Sequence, residues 1–342
     1  GDKFVEKQIS GGGFSNIGNG QVFTIKNVDL DGIYRIACTV VDKAGNAYTE
    51  VSLQNKDGST YVEQRTAADT LATFSVNRQG SAYELDKTTM EIVEQYYVQN
   101  VDEDVALVEV NTNALKEYKV TLNGKELKEG TDYTVATEGG YGEWMKYLYS
   151  IKKSLFDAEG QYQIVVSSKD EANNDAFSDV KDATVTFVVD RTAPVVTVTG
   201  LETDGRYQVE RQTVTIIPTD DGGALKSLLV RTVDEDGKEL VKLVDLSGDE
   251  LTTALDENDG KIAFEIEEGL YQNVQIICTD CAIDSEGNTN TYNMTFYQVS
   301  VSSSAVKMLF ASKGMRYGII GGIVLIIGGV ALLVFRKKKV TK

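Results

Sequence analysis

The chain has 342 residues, with 34 basic and 52 acidic side chains, a formal net charge of −18 and no histidine. Lack of histidine excludes Ser-His-Asp and Cys-His nucleophile systems and the usual zinc sites. Seven basic residues and no acids lie beyond position 312, so residues 1–312 hold 27 basic against 52 acidic groups, a net of −25 that repels nucleic acid and anionic lipid and attracts cations.

Three cysteines in so long a chain do not make a disulfide framework. Stability must come from ordinary apolar cores, which domains of about 100 residues can build. The length allows two or three of them. Pro194 and Pro218 are the only prolines, which excludes a Leu-Pro-x-Thr-Gly cell-wall sorting signal. The chain opens at Gly1 without an initiator Met or a charged-then-apolar leader, and is expected to be the C-terminal part of something longer.

The chain then repeats itself. Tyr34 to Asn46 (YRIACTVVDKAGN) is followed by Tyr162 to Asn174 (YQIVVSSKDEANN), and more loosely by Gln272 to Ala282 with Asp284 to Asn288. Alternate apolar residues (Ile36, Cys38 and Val40; Ile164 and Val166; Val274, Ile276 and Cys278) mark one buried face of a strand in each copy. A turn rich in Asp, Gly and Asn closes it. A further strand follows each turn: Ala72 to Arg78, Val185 to Arg191, and Met294 to Val299. Its aligned Phe74, Phe187 and Phe296 are 113 and 109 residues apart, a period of whole domains in series. Only 33 residues precede Tyr34, against about 75 between Asp86 and Tyr162, so the first repeat is incomplete.

Between these landmarks, Asn123-Gly124 predicts a two-residue hairpin turn joining Tyr118 to Leu122 with Lys125 to Leu127. Thr131 to Val135 and Trp144 to Ile151 continue the sheet. In the third repeat Val195 to Thr199, Thr213 to Ile217, Ser227 to Val233 and Ile262 to Ile266 read as strands, with turns at Asp236-Gly237 and Asp259-Gly260. Short helices are expected near Lys152 to Phe156 and Ser247 to Leu255. About seven short strands per 100 residues indicate β-sandwiches.

Tyr317 to Phe335 is a run of nineteen residues without charge. As a helix it would be about 28 Å long, a match to the bilayer core. Arg336, Lys337, Lys338, Lys339 and Lys342 follow it, whereas Lys313 and Arg316 flank the other end. That bias places the tail in the cytoplasm and everything before Tyr317 outside. Gly318 and Gly322 form a G-x-x-x-G pair that allows weak self-association.

The pattern Y-x-I-x-x-x-x-x-D-x-A-G-N, with a strand ending Asp190-Arg-Thr-Ala-Pro194, resembles bacterial immunoglobulin-like domains. Phe74 to Tyr83 also looks like the end of one such domain. Such domains stand in tandem on Gram-positive surface proteins. The resemblance covers about 1–300 and carries no catalytic residues across. The second copy has Asn173 for the motif glycine, and the third inserts residues before Gly287. The expected fold is therefore all-β: tandem immunoglobulin-like β-sandwiches followed by one C-terminal transmembrane helix. The division is 1–87 (a partial domain), 88–191 and 192–300 (full domains), 301–316 (a juxtamembrane linker), 317–335 (the membrane helix) and 336–342 (a basic tail).

Asp42 with Asn46, Asp170 with Asn174, and Asp280 with Asn288 offer oxygen ligands of the kind calcium takes. The competing reading is that each Asp bonds backbone N–H groups of its own turn, while Gly or Asn accepts a positive φ. No D-x-[DN]-x-[DN]-G loop with a closing Glu is present, so the turn reading is preferred and no metal ligand is assigned. Asp234 to Gly237 and Asp256 to Gly260 fail that spacing as well. Cys278-Thr-Asp-Cys281 lacks partners for zinc and runs out of a strand, which leaves free thiols or a local disulfide. Cys38 reads as a core residue. Tyr141, Trp144, Tyr147 and Tyr149 could stack on sugar rings, but a period-2 aromatic run more commonly packs a sheet.

No catalytic residue, cofactor or metal is assigned, and the chain reads as a non-enzyme. Its expected role is a single-pass, membrane-anchored extracellular stalk or adhesion scaffold with a protein or glycan ligand. The short Asp190 to Pro194 junction and the flexible Gln79-Gly80-Ser81 predict a semi-rigid spacer with one softer joint. The alternatives are the membrane-proximal part of a larger surface enzyme and a carbohydrate-binding module centred on Trp144.

Overall fold

A computed structural model describes residues 13–17, 20–24, 31–37, 43–45, 49–54, 60–65, 70–140, 142–176 and 183–311. They are mostly strand with few helices. The expected membrane helix at 317–335, Cys38, Val40, Asp42, Asn46 and Tyr141 lie outside the described residues. No helix among the described residues is long and apolar enough to cross a membrane.

Two compact units form. The first comprises Gly1–Glu94, Asp102–Leu155 and Tyr162–Thr186; the second comprises Gln95–Val101, Phe156–Gln161 and Phe187–Lys342.

In the first unit, a four-stranded sheet runs in the order Tyr133–Glu138, Met145–Ile151, Val105–Asn111, Ala82–Leu85. Leu115–Leu122 pairs antiparallel with residues 164–170 and turns back through Lys125–Glu126. The predicted hairpin turn is present, with positive φ at Asn123 (49°) and Gly124 (77°), the conformation that Asn-Gly accepts at least cost. Strict alternation of burial along Val105–Asn111 turns Val105, Leu107, Glu109 and Asn111 inward. Glu109 is fully buried and accepts hydrogen bonds from the Tyr149 hydroxyl (2.6 Å) and from Ser168 Oγ, which also lies 3.3 Å from the Tyr83 hydroxyl. Burial, and then the Glu109 charge, raise the Tyr83 and Tyr149 phenols well above their ordinary value.

One helix was not expected. Lys87–Gln95 begins where Asp86 accepts from the Thr89 backbone N–H (2.9 Å), a cap of the usual kind that was there to be read. Buried Thr89 then accepts from the Ala106 N–H (2.8 Å) and ties the helix to the sheet.

The second unit is a two-layer sandwich. One layer is Val195–Thr199, Arg211–Thr219 and Ile262–Glu267, all antiparallel. The other contains Glu239–Ser247, Leu225–Val233, Gly269–Ile283 and Thr289–Val301 in that order. The inward faces, including Val214, Ile216 and Ile266 against Leu228, Val230, Ile276 and Cys278, form one core. Each such side chain contributes roughly 1.5–3 kcal/mol through burial. Glu239–Ser247 is the outermost strand of its layer among the described residues, and its pairing with Leu225–Val233 shifts register at Val230/Arg231 and Thr232/Val233.

The third-repeat strands lie where the alternation places them, each extended by a few residues except Val195–Thr199, which keeps its bounds. Both short helical passages are present as Lys153–Phe156 and Gly248–Glu257. The aligned phenylalanines do not share one environment. Phe187 and Phe296 are buried, but Phe74 is 38% exposed and stacks on Tyr34 at 5.4 Å.

Candidate metal centre

Three carboxylates meet in the second unit. The Asp190, Asp220 and Asp280 oxygens lie within 4.8 Å of one another. Asp190 follows the Thr184–Val189 strand, whose end is held by a hydrogen bond from the Asp190 N–H to the Val98 carbonyl (2.9 Å). Asp220 follows Arg211–Thr219, and its Oδ1 accepts from the N–H groups of Gly222 (3.0 Å) and Gly223 (2.7 Å). Asp280 sits in Gly269–Ile283 where the register with Thr289–Val301 breaks between Thr279 and Ile283. The glycines are required by close approach: a Cβ on Gly222 would lie 2.8 Å from Asp190 Oδ1, and one on Gly223 would run into Asp190 Oδ2.

Asp190 and Asp280 are fully buried, and Asp220 is half-buried. Asp190 Oδ1 accepts from the Thr192 N–H (3.0 Å); Asp280 accepts from the Ala282 N–H (3.1 Å) and from Asn290 Nδ2 (2.9 Å). Asp190 Oδ2 and Asp220 Oδ2 are buried with no hydrogen-bond partner among the described residues. No ion pair there involves any of the three acids. Burial, then the Asp190 and Asp220 charges, push the Asp280 carboxyl up to about 6, against the opposing Asn290 and Ala282 hydrogen bonds. Burial also raises Asp190, with repulsion from Asp220 and Glu159 added and the Thr192 N–H opposing. Two like charges this close repel by roughly 3–4 kcal/mol at an effective dielectric of 20.

The other acidic turns behave differently. Asp170, buried in the first unit, accepts from the Asn174 N–H (2.9 Å), Asn174 Nδ2 (3.1 Å), Asn77 Nδ2 (2.7 Å) and Asn111 Nδ2 (3.3 Å). Burial alone would raise its pKa; the donors from Asn174, Asn111 and Asn77 outweigh it and hold the carboxyl below its ordinary range. Asn173 takes the positive φ (66°) of the motif glycine. The turn reading thus holds for Asp170. In the third copy Asp284 caps the turn instead, accepting from the N–H groups of Glu286 (2.9 Å) and Asn288 (2.8 Å) and from Asn288 Nδ2 (2.9 Å). The expected partner of Asn288 is therefore corrected: it binds Asp284, and the amide on Asp280 belongs to Asn290.

Because the folded pKa of Asp170 is depressed, its contribution to stability is present above about pH 4 and is lost as pH falls through the folded value. Asn174→Ala is expected to destabilise the first unit by about 1.5–3 kcal/mol at pH 7, through loss of hydrogen bonds to a charged acceptor. Chemical denaturation at pH 7 and at pH 3 would show that gap narrowing in acid.

Tyr147 and Tyr149 are buried, Trp144 is 42% exposed, and the Leu115 N–H donates to the Tyr147 hydroxyl. The two tyrosines therefore pack the sheet, the reading preferred for a period-2 aromatic run. Cys278, in the core, and half-buried Cys281 are free thiols, and burial pushes Cys278 up to about 12.

No protein-family model matches the chain, and no curated protein matches it. Solved structures give distant overlaps. The N-terminal eight Ig domains of Down Syndrome Cell Adhesion Molecule align at 14% identity and a TM-score of 0.19, over 82% of this chain and 33% of that one. This chain therefore spans about a third of the length of that solved chain. Protocadherin Gamma B7 cadherin domains 1–4 align at 10% identity and 0.24, over 78% and 71% of the two chains. BspA_C_WT aligns at 12% identity and 0.17, over 73% and 99%. These scores are too low to carry fold or function across.

Proposed function

We propose that the chain is an extracellular scaffold of serial immunoglobulin-like modules, held at a membrane by residues 317–335, that presents or spaces a more distal adhesive region. The observation supporting this reading is recurrence of one structural device in both units. Asn174 Nδ2 donates to the Asn77 carbonyl (3.1 Å) and to Asp170; Asn290 Nδ2 donates to the Asp190 carbonyl (3.1 Å) and to Asp280. An amide that joins the end of one strand to the acid of another, used twice, supports modules repeated for length. The net −25 of residues 1–312 suits a solvated surface.

In a Cys38→Ser, Cys281→Ser background, which leaves only Cys278 buried in the core, a cysteine introduced at Thr203 or at Thr341 would be treated with an impermeant thiol reagent on intact cells. Labelling at Thr203 and protection at Thr341 is the expected result. The reverse pattern would overturn the topology and, with it, the extracellular role.

A further inference from the structure

We infer that Asp190, Asp220 and Asp280 bind one divalent cation of the calcium class, which occupies in the second unit the position that two asparagine amides fill in the first. The two units supply the comparison. Phe74 and Phe187 align, so Asn77 and Asp190 stand three residues after equivalent positions. Asn111 ends Val105–Asn111, and Asp220 directly follows Arg211–Thr219. Asp170 and Asp280 share the repeat's acidic position, and Asn174 and Asn290 make the same two hydrogen bonds.

The chemistry of the two sets differs at two places. In the first unit Asn77 and Asn111 each direct an amide N–H at the one carboxylate, so its charge is satisfied within the protein. In the second unit both are aspartates. A carboxylate cannot donate, so the N–H groups are gone and two negative charges are added. The outcome is visible as two buried oxygens, Asp190 Oδ2 and Asp220 Oδ2, with no partner among the described residues, the former on a fully buried side chain. Buried carboxylates of this kind keep their charge only when paired or bound to a metal, and otherwise take up a proton.

The donors select the ion. All three are hard carboxylate oxygens, which suit calcium or magnesium rather than softer metals. Oxygens no more than 4.8 Å apart lie within about 2.8 Å (4.8/√3) of a common centre. That ceiling admits calcium–oxygen distances of about 2.3–2.6 Å, and the flexible geometry that calcium accepts suits three carboxylates better than the near-ideal octahedron that magnesium demands. Asp220 is the least buried of the three residues, the side from which an ion would enter.

The test uses the full chain in detergent, after chelation, with calcium or magnesium chloride as the probe. Calcium binding by isothermal titration is expected with a Kd of about 10⁻⁴–10⁻³ M, the range of extracellular modules, and weaker magnesium binding. Asp190→Asn/Asp220→Asn, which installs the residues of the first unit, should fold without calcium and bind one ion fewer per chain. The reciprocal Asn77→Asp/Asn111→Asp should bind one ion more. Hydrogen exchange should show calcium slowing exchange in residues 187–301 of the wild type but not of Asp190→Asn/Asp220→Asn. Unchanged stoichiometry in the Asp190→Asn/Asp220→Asn chain, or no calcium effect on exchange in the wild type, would overturn the site. None of these readouts depends on membrane topology, so the scaffold reading stands or falls separately.

Discussion

Phe187→Ala will lower the stability of the second unit by about 3–5 kcal/mol, whereas Phe74→Ala, at the aligned position of the first repeat, will cost the first unit about 1 kcal/mol or less. Phe187 is fully buried and meets Phe156 edge to face with ring centroids 5.3 Å apart, so truncation removes a whole ring from a closed core. Phe74 is 38% exposed, and most of what it loses is its stack on Tyr34. Hydrogen exchange on the full chain reads the two units separately. Equal losses at the two positions would show that the repeats bury this residue alike and that the difference described here is wrong.

The second large effect is expected at Glu109. Replacement by alanine removes the acceptor that serves the Tyr149 and Ser168 hydroxyls, leaves both buried donors without it, and opens a cavity in the first unit. The expected cost is about 3–5 kcal/mol, from two buried hydroxyls left unsatisfied at about 1–3 kcal/mol each together with the cavity. Glu109→Gln keeps the shape and one carbonyl oxygen and should recover a large part of it. A Gln variant as damaged as the Ala variant would mean that the negative charge, rather than acceptor geometry, holds the three side chains together. Denaturation followed by Trp144 fluorescence reports on this unit, where the single tryptophan lies.

Much of the fold was legible because its signals are local. Alternation of apolar residues locates the strands of the third repeat, Asn123-Gly124 announces its own turn, and the short helix expected near Ser247 to Leu255 is present with Leu251 buried. The Lys87–Gln95 helix was missed although Asp86 stood in capping position, because the region was read as the boundary between repeats. The site was half legible. Asp280 was identified as a candidate ligand from its motif. Asp190 reads as a linker residue and Asp220 carries no motif, since 30 residues separate these two and 60 separate Asp220 from Asp280. Only the packing of the two layers, together with the end of Thr184–Val189, brings the carboxylates into one place. Spacing rules for metal loops cannot detect a site assembled from three strand ends. The available sign is internal: Asn77 and Asn111 of the first unit are matched by acids in the second.

The outermost position of Glu239–Ser247 has a consequence for molecules crowded side by side. An unpaired row of backbone N–H and C=O groups is a template on which a neighbour's strand can add, and Leu240 and Val241 are 62% and 56% exposed along it. Two irregularities guard it. The double register shift against Leu225–Val233 gives the strand a contour that a regular partner cannot follow over its whole length. Lys242, paired with Asp245 at 2.7 Å, and Glu239, paired with Arg231 at 3.4 Å, would have to lose their water before a second chain could dock. The strand thus completes its own sheet while resisting polymerisation into a larger one.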